Sequence, residues 1–418
     1  MAKQTRKKKR SQKIKKIKKI KKISGGKVIA FGGSGCVFYP ALNCDGKKSP
    51  NTVSKLMGNR EANKEYENIM HIRSNLLSIP NYEDYFLLDA VKCKPDLLTE
   101  SELRELSKCS SLFTNIDIND KIDDFTVLNM PNGGPPIDDY IYDNGSFEKI
   151  YDVHIGLSKL LVNGIIPMNR KNIFHCDIKD SNVLIDSDKK VHLIDWGLYA
   201  KYEPFVNAPF PQTWRNRPFQ YNVPFSVILF SDSFTKKYAK FIEDGSNDPK
   251  RFAIEYINSW MKERGAGHYK FINETMTLLF SNELDDVSEE DMPKIIETQI
   301  TMDYIVNYIV DVLVHFTDGL QEYLDTVFTK IVDIWGLISA YHPILEVLSN
   351  SYSKLNKGEM KIFKQLQFIF VEYLYNPRHE PIDMDVLLND LDDLGKLIHL
   401  KINGSLTTYE SPVFPSEK

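Results

Sequence analysis

Residues 173–185 read IFHCDIKDSNVLI, and residues 191–197 read VHLIDWG. Polar groups fill the first half of this stretch, and two short apolar runs follow, joined by the polar residues 186–190. The pattern predicts a loop that leads into a hairpin of two short strands. One end of the hairpin then collects two carboxylates, an amine and an amide, from Asp177, Asp195, Lys179 and Asn182. Because Mg²⁺ takes oxygen ligands, commonly one or two carboxylates plus phosphate oxygens, this set suits a metal ion and a transferring phosphoryl group.

The composition is that of an ordinary soluble protein, with 42% apolar and 26% charged residues in 418. No run of about 18 apolar residues occurs, so we expect no membrane span. The N-terminus also lacks the apolar core of a signal peptide, which predicts an intracellular protein. The five cysteines are dispersed and form no C-x-x-C pair, which predicts reduced thiols in a reduced compartment; they are Cys36, Cys44, Cys93, Cys109 and Cys176.

The first 27 residues carry 14 of the 53 basic residues and no acidic one. Blocks of like charge repel and stay disordered until they meet a partner of opposite charge. We therefore predict a basic disordered tail over residues 1–26. Its expected partner is a nucleic acid or another polyanion, and the alternative is a solvated flexible tail without a partner.

The order and spacing of residues 175–182 and 195–197 resemble the catalytic loop and metal loop of the protein kinases, H-R-D-L-x-x-x-N and then D-F-G. Two departures are visible, since Cys176 stands where Arg is usual and Trp196 where Phe is usual. The resemblance implies a two-lobed α+β fold with a small β-rich N-lobe and a larger helical C-lobe. ATP would lie between the two lobes.

The same resemblance assigns roles to the four polar residues. Asp177 would orient the attacking hydroxyl and accept its proton, and Lys179 would neutralise charge on the γ-phosphoryl group. Asn182 and Asp195 would hold Mg²⁺. Because the transition state of phosphoryl transfer is loose, catalysis at such a site is mainly positioning and electrostatics. A lysine two residues after the base is the pattern of serine/threonine kinases, so we expect protein substrates phosphorylated on Ser or Thr.

Residues 27–39 read as strand, glycine turn and strand. Glycines allow backbone N–H groups to approach phosphate oxygens closely. In the G-x-G-x-x-G-x-V register of the kinase glycine-rich loop, Gly32, Gly35 and Val37 match, and Ala30 takes the place of the first glycine. A plain hairpin without a ligand would show the same pattern.

A short β-like run, residues 52–57, contains Lys55 and resembles the kinase strand whose lysine holds the α- and β-phosphates. A helical stretch follows, and Glu65 is the expected partner of that lysine, with Glu61 and Glu67 as alternatives. Further along, residues 125–134 resemble the kinase hinge, a strand running into a flexible connector. Backbone groups of Asn129 and Met130 would hold the adenine there.

Residues 332–337 read VDIWGL, which resembles the D-x-W-S-x-G start of the buried kinase helix that supports the catalytic loop. The alternative is that Asp333 lies on the surface of an unrelated helix. The kinase A-P-E motif shares only Pro218 with this chain, so its anchoring ion pair is in doubt. We predict a kinase domain over 27–400, with an N-lobe at 27–130, a C-lobe at 135–400, a helical insertion at about 223–328 and a C-terminal tail at 401–418.

The basic tail together with the segments at 25–30, 35–42 and 217–222 resembles the serine/threonine kinases of giant DNA viruses. A host cytoplasm or virion location follows from that resemblance. Two other functions stay open. One is a pseudokinase or scaffold that binds nucleotide, suggested by Ala30 and Cys176, and the other is a small-molecule phosphotransferase on the same fold.

Overall fold

The structure is a computed structural model that describes residues 26–32, 35–47, 49, 51–109, 117–206, 210–245, 248–284, 287–288, 290–317 and 319–414. The predicted basic tail, apart from Gly26, lies outside the described residues. The chain divides into two compact units. We call residues 1–73 and 88–132 the sheet unit, and residues 74–87 and 133–418 the helical unit.

The sheet unit is built on one antiparallel sheet with the strand order β1-β2-β3-β5-β4. Its strands are β1 (Lys27–Gly32), β2 (Gly35–Tyr39), β3 (Thr52–Gly58), β4 (Val91–Cys93) and β5 (Phe125–Pro131). Its helices are Asn59–Leu76, which ends in the other unit, and Glu100–Leu106. Side chains from β2, β3 and β5 form the core of this unit, including Phe38, Leu56 and Val127.

Four of the five cysteines lie in pairs within this unit. The structure joins Cys36 to Cys109 and Cys44 to Cys93 as disulfides, with Cα atoms 6.1 and 5.8 Å apart. These separations fall in the range that a disulfide spans. The prediction of reduced thiols is therefore wrong for these four residues. The antiparallel sheet brings together cysteines that are 73 and 49 positions apart along the chain. The reduced compartment stays a prediction and loses this support.

The helical unit contains four short strands and most of the helices. The strands pair as β6 (Ile173–Phe174) with β9 (Ala200–Lys201), and β7 (Val183–Ile185) with β8 (Val191–Leu193). The helices are Ile137–Tyr142, Phe147–Lys159, Ile166–Asn169, Asp232–Glu243, Pro249–Arg264, Tyr269–Phe280, Met292–Ile295, Met302–His315, Leu320–Tyr323, Thr329–Ser339, His342–Asn350, Lys357–Phe370 and Met384–Asn403. π-helical segments extend some of them, at Leu160–Ile165, Ile296–Thr301, Leu324–Phe328 and Val371–Tyr375.

Local sequence signals account for the ends of the C-terminal helices. Asn356 begins Lys357–Phe370 with a capping box, in which its side chain accepts from the N–H of Glu359 and the Glu359 carboxylate accepts in return. This arrangement satisfies N–H groups that have no partner inside the helix. Asp383 caps Met384–Asn403 in a similar way, and Gly404 ends that helix at a φ of 69°.

A sheet-rich unit separate from a helix-rich unit is consistent with the predicted α+β class. Residues 223–328 are largely helical, as the sequence predicts, while their status as an insertion stays a prediction. Among the described residues, no single helix is long and apolar enough to cross a membrane. One bent pair, Leu320–Ser339 with His342–Asn350, passes the test by length and composition.

His154 and His342 are two of the five buried histidines among the described residues of the helical unit. The ring of His154 contacts the Tyr341 hydroxyl at 3.1 Å through Nδ1, and His342 packs against the ring of Phe271. The Nε2 atoms of both histidines are buried and have no hydrogen-bond partner among the described residues. Burial lowers the pKa of His154 to about 4 and that of His342 to about 4 as well.

We therefore expect the free energy of unfolding to fall between pH 6.5 and pH 4. In that window the unfolded chain binds protons that the folded histidines exclude, so stability rises with pH through it. Each histidine should contribute a loss of roughly 2 kcal/mol at pH 5 relative to pH 7. Urea denaturation at both pH values measures the difference. His342→Leu should reduce it, and the exposed His71→Leu should not. An unchanged pH dependence in His342→Leu would contradict this prediction.

Candidate active site

The 175–182 segment, which we call the central loop, is held by a buried carboxylate from helix Thr329–Ser339. Asp333 is 1% exposed. Its Oδ2 accepts from the N–H of His175 at 2.9 Å, and its Oδ1 accepts from the N–H of Cys176 at 2.8 Å. The amide of Asn169 also donates to Oδ2, at 2.8 Å. The expectation that this residue supports the loop is confirmed, and the surface alternative is wrong.

The same helix approaches the loop so closely that one position requires glycine. A Cβ on Gly336 would lie 2.7 Å from the Ile178 carbonyl oxygen and 2.8 Å from the Ile178 Cβ. Both distances are shorter than real Cβ contacts, so a larger residue would push the helix and the loop apart. Asp333 and Gly336 thus act together, one by hydrogen bonding and the other by its lack of a side chain.

The carboxylate of Asp177 accepts three side-chain hydrogen bonds. Lys179 Nζ and Asn182 Nδ2 both reach its Oδ2, each at 3.0 Å, and Asn222 Nδ2 reaches its Oδ1 at 2.9 Å. The side chain is 9% exposed, so these donors hold a nearly buried charge. A carboxylate fixed at both oxygens has one orientation. The structure therefore brings Asp177, Lys179 and Asn182 together, as the sequence predicts.

The predicted hairpin is formed by β7 and β8, with Val183 opposite Leu193. The backbone carbonyl of Asn182 accepts from the backbone N–H of Ile194 at 3.0 Å. Asp195, the next residue, therefore lies across the hairpin from the end of the central loop. Its φ of 62° is left-handed, and its exposed carboxylate accepts from the N–H of Gly197 at 3.4 Å. Because the side-chain Nδ2 of Asn182 donates to Asp177, its side-chain Oδ1 is the atom that Asn182 offers as a ligand. The two sides of the hairpin thus offer Asn182 Oδ1 and the Asp195 carboxylate as hard ligands.

His175 connects the loop to β8. Its Nε2 lies 3.0 Å from the Ile194 carbonyl oxygen, and its Nδ1 accepts from the N–H of Asp177 at 3.3 Å. This pattern requires the neutral tautomer with the proton on Nε2. Burial lowers the pKa of His175, which keeps the ring neutral. Trp196, in the place of the usual Phe, packs edge-on against this ring with centroids 4.7 Å apart.

Cys176 is buried, with a left-handed φ of 60°. Burial raises the pKa of its thiol well above the ordinary range. The guanidinium of Arg217, which is also buried, donates through Nη2 to the Cys176 carbonyl at 2.9 Å. Burial lowers the pKa of Arg217, and the neighbouring acidic groups, among them Asp177 and Asp333, oppose that shift. Arg217 therefore contacts the backbone of Cys176. Cys176 is the position at which the protein kinase motif has an arginine.

The 217–222 segment reads RPFQYN and contacts the central loop at several points. Besides Arg217 and Asn222, Tyr221 donates through its hydroxyl to Asp180 at 2.9 Å, and burial raises the pKa of both partners. The indole of Trp335 donates to the Tyr221 carbonyl at 2.9 Å. No site role is predicted for these residues from the sequence. Their signal was a set of polar side chains inside an otherwise apolar, proline-containing stretch.

In the sheet unit, Lys55 of β3 pairs with Glu65. Its Nζ lies 2.7 Å from both carboxylate oxygens. The two side chains are 20% and 28% exposed, so the pair is partly screened by solvent. The expectation that Glu65 is the partner, and not Glu61 or Glu67, is confirmed by this contact. Whether Lys55 binds phosphates stays a prediction.

The glycine-rich segment forms the β1–β2 hairpin, with Ala30 opposite Val37 and Gly32 opposite Gly35. A Cβ on Gly35 would lie 2.6 Å from the Leu56 carbonyl oxygen and 2.7 Å from Met57 Cγ. Close packing of β2 against β3 therefore explains the glycine at position 35, whether or not a ligand binds there. The tip residues 33–34 lie outside the described residues.

Asn129 and Met130 lie inside β5, and the connector begins only after Pro131. In register they face Ser54 and Val53 of β3, and the β4 pairing of this strand ends at Asn129. The Asn129 side chain is also occupied, since its Oδ1 accepts from Ser54 Oγ at 2.6 Å. The two residues are therefore strand residues and not part of the flexible connector, and their role in binding adenine stays a prediction.

The family model of the protein kinase domain matches residues 89–213. This range includes the central loop, the β7–β8 hairpin, Asp195 and β5. The match supports the protein kinase superfamily. With the geometry of Asp177, Lys179, Asn182 and Asp195, it also supports a kinase that transfers phosphoryl groups to protein substrates. The glycine-rich hairpin, Lys55, Glu65 and Asp333 lie outside the matched range.

Asp333→Asn should destabilise the protein. An amide presents one acceptor oxygen, so one of the two backbone N–H groups of the central loop would face an NH₂ donor. Leaving a buried donor unpaired should lower the free energy of unfolding by about 2–4 kcal/mol. The matched control is Asp303→Asn, an exposed side chain paired with Lys250 at 3.8 Å, which should change stability by less than about 0.5 kcal/mol. Denaturant unfolding compares the two variants. Equal effects would contradict a supporting role for Asp333.

Proposed function

We propose that this chain is a serine/threonine-protein kinase that transfers the γ-phosphoryl group of Mg·ATP to hydroxyl groups of protein substrates. The observation that carries the proposal is the Asp177 carboxylate, held at both oxygens by Lys179, Asn182 and Asn222. A base has to lie within hydrogen-bond reach of the hydroxyl that it deprotonates, in a fixed orientation. Three donors supply that orientation here before any substrate binds.

The donor set fits Mg²⁺. The side-chain Oδ1 of Asn182, just before β7, and the carboxylate of Asp195, just after β8, are hard oxygen ligands. Mg²⁺ commonly uses one or two protein oxygens together with substrate phosphates. Asn182 and Asp195 would hold the ion. When bound, it neutralises charge on the phosphate oxygens and polarises the phosphorus.

The chain's own groups then act on the hydroxyl and on the phosphates. Asp177 accepts the proton of the substrate Ser or Thr hydroxyl while the oxygen of that hydroxyl bonds to the γ-phosphorus. The bond between the γ-phosphorus and the bridging oxygen breaks, and ADP leaves with that oxygen. Lys179, already 3.0 Å from Asp177, places its ammonium beside the transferring group. Catalysis of this kind depends on charges aimed in advance at the site where negative charge develops. In the sheet unit, we propose that Lys55, paired with Glu65, holds the α- and β-phosphates. The hairpin that contains Ala30 and Val37 would be a further nucleotide contact. The backbone groups of Asn129 and Met130 in β5 would be another.

Two alternative functions make different predictions. A pseudokinase or scaffold would bind nucleotide without transfer, and the replacement of the loop arginine by Cys176 favours it. Against it, the guanidinium of Arg217 reaches the Cys176 carbonyl and restores a positive charge near that position. A small-molecule phosphotransferase would use the same aspartates, while the contact of Lys179 with Asp177 favours a protein substrate.

The decisive experiment follows labelled γ-phosphate from Mg·ATP into a mixed protein extract. The parent protein should label protein serines or threonines, and Asp195→Asn should lose at least about 100-fold in rate, because charge on the phosphates is then uncompensated. The matched control is Asp188→Asn in the exposed turn of the same hairpin, which should keep its activity. Thermal unfolding checks that each variant is folded.

Three outcomes would contradict the proposal. Activity of Asp195→Asn within a few-fold of the parent at saturating Mg²⁺ would exclude the metal assignment. ATP binding without transfer by the parent would indicate the pseudokinase. Label that appears only in the small-molecule fraction of the extract would indicate the other phosphotransferase.

Asn222→Ala tests whether the 217–222 segment orients the base. Loss of the donor to Asp177 Oδ1 should lower kcat roughly ten- to a hundredfold, since small misplacements of catalytic groups have effects of this size. KM for ATP should stay close to that of the parent, because Asn222 touches no residue assigned to the nucleotide. Asn389→Ala, which removes an exposed amide from helix Met384–Asn403, is the control. A rise in KM at constant kcat would assign Asn222 to binding instead.

We also propose a viral family, a location and a partner for the basic tail. A place among the kinases of giant DNA viruses rests on the segments at 25–30, 35–42 and 217–222 together with the basic tail. A host cytoplasm or virion location follows from it. Binding of a nucleic acid or another polyanion by residues 1–26 rests on their charge, and all of them except Gly26 lie outside the described residues.

A further inference from the structure

Three side chains of the helical unit that have no role in the proposed reaction converge near its C-terminal helices. Asp311 and His315 lie one turn apart on helix Met302–His315, and His379 lies in the segment between Val371–Tyr375 and helix Met384–Asn403. One nitrogen from each ring and one carboxylate oxygen all lie within 4.8 Å of one another. The spacing of Asp311 and His315 by four residues puts both on one face of the helix.

The measured separations suit a small metal ion. His379 Nδ1 lies 3.0 Å from Asp311 Oδ2 and 3.1 Å from Oδ1. His315 Nδ1 lies 3.4 Å from Asp311 Oδ1. Zn²⁺ binds nitrogen and oxygen ligands at about 2.0–2.2 Å, so neighbouring ligands around a tetrahedral ion are roughly 3.3–3.5 Å apart. The carboxylate thus lies near the expected distance from both rings before an ion is bound.

The two imidazole rings are stacked face to face, with centroids 3.6 Å apart and planes 6° from parallel. Because an imidazole lone pair lies in the ring plane, the rings have to tilt apart to share one ion. Their side chains, 43% and 40% exposed, have room to rotate.

We propose that Asp311, His315 and His379 form a binding site for a divalent transition-metal ion of the Zn²⁺ type. Imidazole nitrogens favour Zn²⁺ and its neighbours, whereas Mg²⁺ and Ca²⁺ favour sites made of oxygen. The site therefore differs in metal preference from the Asn182 and Asp195 oxygens. Three protein ligands leave a fourth position for water or for a group from another molecule.

An open cavity of about 340 Å³ adjoins the cluster, and His379 is one of its lining residues. Glu372 and Glu380 also line it, and both add negative charge on the solvent side. Arg378 lines the cavity as well, and its guanidinium donates to the Glu372 carbonyl at 2.7 Å and lies 3.5 Å from the Glu372 carboxylate. The pairing of Arg378 with Glu372 partly compensates the positive charge of Arg378, which would otherwise oppose the binding of a cation.

A metal bound here would join two parts of the helical unit that are 64 positions apart in sequence, from His315 to His379. Two ligands, Asp311 and His315, come from the helical segment 223–328. The third ligand, His379, comes from the segment before the last helix. An ion that binds the folded state alone stabilises it by mass action. The site would thus tie the predicted insertion to the C-terminal helices, independently of phosphoryl transfer.

The test measures Zn²⁺ binding to the full chain that carries Asp195→Asn, which removes a carboxylate of the proposed Mg²⁺ site. After treatment with a chelator, this protein should bind one more equivalent of Zn²⁺ than the same protein with His379→Ala. His315→Ala should weaken that binding by at least about tenfold as well. Co²⁺ in place of Zn²⁺ should give a visible absorption band that depends on both histidines. Zn²⁺ should also raise the unfolding temperature, and an excess of Mg²⁺ should not.

The matched control is His71→Ala, an exposed histidine of the sheet unit, which should leave the stoichiometry and affinity unchanged. Both ligand variants replace exposed side chains, and their circular dichroism should match that of the parent. Equal Zn²⁺ binding by the parent and the two ligand variants would overturn the proposal. A loss of binding in only one of the two would overturn the shared site, since each ring is assigned to the same ion.

Discussion

The buried carboxylate of Asp333 organises the site of this protein. It accepts from two consecutive backbone N–H groups of the central loop and from the amide of Asn169. Removing a carboxylate from water is unfavourable unless hydrogen bonds replace the lost hydration. Burial raises the pKa of this group, and the donated bonds act in the opposite direction. The loop can keep its left-handed turn at Cys176 because the N–H groups of His175 and Cys176 both have a fixed acceptor.

The second constraint is the 217–222 segment, which lies between the central loop and Asp333 in sequence and makes its own contacts with the loop. Arg217 contacts the Cys176 carbonyl, Tyr221 contacts Asp180, and Asn222 contacts Asp177. Every one of these bonds is to a buried or nearly buried group, where an unmade bond is expensive. The segment therefore takes over a supporting function without the ion pair of the A-P-E motif. Preorganised polar groups of this kind are what an electrostatic mechanism requires.

The helical unit combines two kinds of potential ligand set. The hairpin offers hard oxygens from Asn182 and Asp195, whereas the Asp311 cluster offers two imidazole nitrogens and one carboxylate. The first set flanks the β7–β8 hairpin, with Asn182 just before β7 and Asp195 just after β8. The second set joins a helix to a loop far along the chain. Metal chemistry distinguishes them because ligand softness, more than charge, separates Mg²⁺ sites from Zn²⁺ sites.

Sequence by itself determined the elements whose residues are neighbours along the chain. It predicted the β7–β8 hairpin, the grouping of Asp177, Lys179 and Asn182, and the pair of Lys55 with Glu65. These contacts span at most ten positions. Strand patterning is enough to place the hairpin and the polar groups at its end, whereas the pairing of Lys55 with Glu65 is what the resemblance to the protein kinases implies. Asp333 was predicted over a longer distance only because its surrounding motif resembles a known one.

Tertiary structure alone decided the contacts between distant segments. The cysteine pairs, the contact of Arg217 with the Cys176 carbonyl, the contact of Asn222 with Asp177, and the cluster of Asp311, His315 and His379 join segments from 41 to 73 positions apart. Periodicity carries no information on which distant segments pack together. That choice is made by burial of apolar surface across the whole fold, and polar side chains then find partners among the neighbours that the packing supplies.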